Sequence, residues 1–76
     1  MFNNGLMNAD VAIEIIAEML ANCVFALKSE KDENKIKELE EKKKLYTIQR
    51  EKIYSGDIET INYVIENYGK KLKEQR

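Results

Sequence analysis

Seventy-six residues allow one domain at most and bury little apolar surface, so a chain of this size needs a staple or a partner. One cysteine and no histidine exclude an internal disulfide and nearly exclude a structural zinc site. Thirteen basic and fourteen acidic residues leave a net charge of −1, so no overall field selects a polyanion or a polycation.

With no proline and three glycines, the composition favours long helices. Residues 1–7 show no periodicity and read as a short lead-in, with Phe2 and Leu6 tucked onto a neighbour. Asn8 is placed to cap the first helix through its side-chain oxygen, and that helix is expected over 9–28. Between Ala9 and Leu27 only Asp10, Glu14, Glu18 and Asn22 are polar. Spaced four apart, they form one narrow stripe. A helix apolar on nearly every other side must be buried on nearly every other side. The run Val11–Leu27 has no Lys or Arg before it and contains Glu14 and Glu18. A signal peptide and a membrane span are both disfavoured on those grounds. The expectation is a cytoplasmic protein whose Cys23 stays reduced.

Ser29 and Asp32 have the spacing of a capping box at the first break, and a second helix is expected over 32–54. It is highly charged. Ile36, Leu39, Tyr46 and Ile53 make a heptad seam completed by the aliphatic stems of Lys43 and Arg50. Ser55-Gly56-Asp57 is the second break: Gly56 suits a left-handed helix end, and Asp57 suits the next N-cap. The third helix is expected over 58–68, with Ile58, Ile61, Ile65, Tyr68 and Leu72 on one face. Gly69 would be its C-cap, and the tail would fray or add one turn.

The fold expected is therefore all-α, a single domain over 1–76. A long antiparallel hairpin carries a shorter third helix across it, and dimerisation completes the core. The oligomer interface is expected on the first helix, at Ile13, Ile16, Leu20, Val24 and Leu27, because two amphipathic stripes cannot cover a helix apolar all round.

Each cluster that carries chemistry elsewhere has a plainer explanation here. Asp10, Glu14 and Glu18 are spaced to share a cation, giving a carboxylate metal-binding bundle as one alternative. Such sites usually add histidine, so the wet face of a helix accounts for the stripe better. Cys23 lies mid-helix with no base beside it and reads as a small core residue. Lys42, Lys43, Lys44, Arg50 and Lys52 would serve a second alternative, a small nucleic-acid-associated regulator or antitoxin. Glu38, Glu40, Glu41 and Glu51 interleave with them, as on a solvated salt-bridged face. No phosphate loop and no nucleophile–base set is present, so neither catalysis nor a cofactor is expected.

Two segments carry a resemblance, Asn8-Ala-Asp-Val-Ala-Ile-Glu-Ile-Ile16 and Ile53-Tyr-Ser-Gly-Asp-Ile-Glu-Thr-Ile61, the latter continuing to Tyr68-Gly69 and Leu72-Lys73. Through them the chain resembles small uncharacterised helical proteins encoded on Gram-positive conjugative elements and prophages. Eleven lysines against two arginines, with abundant Ile and Asn, point the same way, to an AT-rich bacterial or phage genome. The resemblance implies an accessory protein that binds host or element machinery, anti-CRISPR inhibitors being one such class. The expected function is non-enzymatic protein–protein interaction. Its anchors would lie near the second break, at Leu45, Tyr46, Ile48, Arg50, Tyr54 and Tyr63.

Overall fold

Helices and short turns, with no strand, make up residues 4–75, which the computed structural model describes, with side chains from 8 to 72. Helix α1 spans Asn4–Ser29. It starts well before the expected cap, so Asn8 is an interior helical residue. Leu6 and Met7 are strong helix formers, and extending an existing helix costs far less than starting one. Phe2 and the Leu6 side chain lie outside the described residues.

Three residues join α1 to helix α2 (Glu33–Tyr54). Asp32 is the N-cap: its side chain accepts from the Asn34 N–H at 2.9 Å. Ser29 does not cap α2. It ends α1, and its hydroxyl donates back to the Ala26 carbonyl at 3.5 Å. So short a connection makes α1 and α2 antiparallel neighbours, as expected.

At the second break Gly56 has φ +87°. The Asp57 N–H donates to the Lys52 carbonyl and the Gly56 N–H to that of Ile53, both at 3.0 Å. This is the Schellman arrangement, with glycine in the left-handed position. Nothing lies within 4 Å of a Cβ added there, so only backbone conformation disfavours a side chain. Gly56→Ala is expected to cost about 1–2 kcal/mol and to lower Tm by several degrees in a thermal melt. An unchanged Tm would show that the left-handed turn is not required.

The third helical stretch opens as α3 (Ile58–Tyr63), widens into a π-helical segment (Val64–Gly69) and ends as α4 (Lys70–Gln75). Asp57 is the N-cap by position, but its carboxylate accepts from the Thr60 hydroxyl rather than from a backbone amide. Gly69 does not end the helix. A Cβ there would come within 3.0 Å of the Ile15 side chain, so glycine lets this stretch approach α1 closely. The expected face also changes. Ile61, Val64, Tyr68 and Leu72 are buried, while Ile58 is exposed and Ile65 only half-buried. The wider π turn keeps residues four apart, Val64, Tyr68 and Leu72, on one side.

The core is small. Its largest fully buried side chains are one from each stretch: Ile16, Ile53 and Val64. Tyr68 meets Tyr46 and Tyr63 edge-to-face, with ring centroids 5.4 and 5.5 Å apart, and its hydroxyl donates to Gln49 Oε1 at 3.0 Å. The molecule is long and thin. Its Cα radius of gyration is 13.5 Å, against about 11 Å for a compact chain of this length.

Candidate functional site

Burial decides which expected residues are free to meet a partner. Ile16 is wholly enclosed by the chain's own core, and Ile13, Leu20 and Leu27 are half-buried. Of the five expected interface residues on α1, only Val24 is exposed. Yet α1 is not covered on nearly every side. Val11, Ala17, Ala21 and Phe25 face outward along with Asp10, Glu14 and Asn22. Phe25, 75% exposed, is the most open large apolar side chain among the described residues. A groove beside this face is floored by Ala17, Leu20, Ala21 and Val24, and Lys43, Thr47 and Arg50 of α2 form its far wall. Those three follow i, i+4, i+7 spacing, which puts them on one side of α2.

The six anchors expected near the second break do not come together. Tyr46 is buried against Tyr68. Arg50 lines the groove facing α1, and Tyr54 follows it at i+4, on the same side. Leu45 and Ile48, 47% and 53% exposed, occupy a different face with Gln49 and Lys52, at i, i+3, i+4 and i+7. Tyr63 borders that second face, across from Gln49. Two separate apolar faces thus replace one patch. Sequence reading missed Phe25, whose size and position beside Lys28 were the available signal.

The remaining clusters are spread or closed off. Lys42, Lys43, Lys44 and Lys52 point in different directions round α2, because consecutive residues turn by about 100°. Among the described residues, no group of three or more Asp, Glu, Cys or His side chains gathers to hold a metal ion, so Asp10, Glu14 and Glu18 do not converge. No helix among them is long and apolar enough to cross a membrane.

Cys23 is 5% exposed, and its thiol donates to the Leu39 carbonyl at 3.0 Å, linking α1 to α2. Native labelling with a thiol reagent is expected to be slow until denaturant opens the hairpin. Prompt stoichiometric labelling would contradict that placement.

Burial raises the Tyr46 phenol above its ordinary 10.0, with smaller upward contributions from Tyr68, Cys23 and Tyr63. Burial raises Tyr68 too. The unfolded chain ionises these phenols near 10.0, while the folded chain resists. Their contribution to stability is therefore complete below pH 10 and lost as pH rises through the folded values. Denaturant titrations on either side of pH 10 should show the decline, and a Tyr46→Phe, Tyr68→Phe variant should show less of it. An equal decline in that variant would assign it to other groups.

Comparisons with protein-family models, with curated proteins and with solved structures found no match to this chain.

Proposed function

We propose that this chain is a non-enzymatic protein–protein interaction module that binds another protein and regulates or inhibits it. It works as a homodimer joined along α1, in the bacterial cytoplasm, as an accessory of a mobile element or phage; anti-defence inhibition of the anti-CRISPR kind fits that description. One observation carries the reading: so small a chain leaves large apolar side chains open on two separate faces, Val24 and Phe25 on α1, and Leu45, Ile48 and Tyr63 on the other side. Contiguous exposed apolar surface on a small chain marks an interaction site.

The two faces suit different tasks. The α1 face is flanked by charge of both signs and suits self-association. The Leu45–Ile48 face, rimmed by Gln49 and Lys52 with an aromatic at its border, has the apolar centre and polar edge of a hetero-interface.

Ile48→Asp tests the second task. The site is half exposed, so the substitution should cost about 1 kcal/mol of folding stability and leave the chain folded. Affinity capture from the native host should lose the partner that the unmodified chain retains. Retention of that partner by Ile48→Asp, or its loss together with folding, would remove this face from the function.

A further inference from the structure

We infer that two copies of this chain pair antiparallel along the outer face of α1, about a two-fold axis level with Met19, each copy's Asp10 meeting the partner's Lys28. The inference rests on the dimeric reading above and specifies its register.

Three observations converge. The first is area. The chain exposes 6077 Å², whereas a compact monomer of 8.9 kDa exposes about 4,800 Å². Summed over the whole elongated chain, the surplus of roughly 1,300 Å² leaves room for the ~800 Å² per partner that a standard interface buries. The second is the apolar character of the face itself: Phe25 and Val24 are open, and Ile13 and Leu20 are only half-buried beside them.

The third is the order of charge. Read from the N-terminus, the outward stripe of α1 runs Asp10, Glu14, Ala17, Ala21, Val24, Lys28. Acids stand at one end, a base at the other, and only apolar residues between. A parallel pair would set Asp10 against Asp10 and Lys28 against Lys28. An antiparallel pair sets unlike charges together at both ends, each contact being made twice about the two-fold axis. The same register places Ala17 opposite the partner's Ala21, where small side chains permit a close helix crossing. Ile13 and Phe25, about 120° apart round α1, lie on opposite flanks of the crossing. A second copy is thus the occupant whose charge and shape complement this face.

Charge reversal tests the register without touching the core, since Asp10 and Lys28 are exposed. Asp10→Lys alone and Lys28→Glu alone should each weaken dimerisation by about tenfold, because symmetry spoils two pairs at once. The chain carrying both substitutions should recover to within about threefold of the original. Sedimentation equilibrium reads all four proteins, with circular dichroism confirming equal helicity. Dimers insensitive to either single reversal, or not rescued by the double, would overturn this pairing and leave dimerisation standing. A purely monomeric original would overturn pairing and dimerisation together, and leave the Leu45–Ile48 face to its own test.

Discussion

Ile16→Ala is expected to lower stability by about 2–5 kcal/mol. The size of the effect follows from how few residues close the core. Ile16, Ile53 and Val64 come one from each helical stretch and are its largest fully enclosed side chains. Shortening Ile16 opens a cavity at their meeting point, and helices held by so few contacts relax into it only in part. At ~0.05–0.15 kcal/mol per residue the whole domain holds only about 4–11 kcal/mol, so one such loss removes a large share. Urea titration followed by circular dichroism, at one fixed protein concentration, reads the change directly. A shift below about 1 kcal/mol would show that the three stretches do not share one core.

Phe25→Asp is expected to act on assembly instead. The side chain is 75% exposed in the single chain, so its replacement leaves the core intact. Across the proposed dimer the same change would bury a carboxylate beside apolar side chains twice over, and an unpaired buried charge costs several kcal/mol. The dimer dissociation constant should rise by about 100-fold or more. The variant should remain helical and sediment as a monomer at concentrations where the original is dimeric. If Phe25→Asp leaves the mass unchanged, the exposed side of α1 is not an assembly surface.

Features set by local chemistry were legible in the sequence. The two breaks fall where expected, although Asp32 rather than Ser29 supplies the cap at the first, and Gly56 takes the left-handed position at the second. Tyr46 and Ile53 are buried on the seam that heptad spacing assigned to them, and Cys23 is enclosed as its apolar neighbours implied. What depends on neighbours was not legible. Periodicity in α1 marks its polar stripe but gives no preference among the many remaining apolar positions, so it did not separate enclosed Ile16 from open Phe25. Gly69 has the spacing of a helix stop, yet the close passage of Ile15 accounts for it. The π-helical widening moves Val64 onto the buried side in place of Ile65, a shift invisible to a pattern read at 3.6 residues per turn. The six anchors grouped by nearness in sequence separate for the same reason, since Arg50 and Ile48 point to opposite flanks of α2.

Self-association through α1 underlies both the proposed function and its geometry. Its most direct test is the mass of the unmodified chain in solution, measured by light scattering across micromolar concentrations. A particle of twice 8.9 kDa that falls toward 8.9 kDa on dilution is expected. A folded chain that stays at 8.9 kDa at every concentration would contradict it.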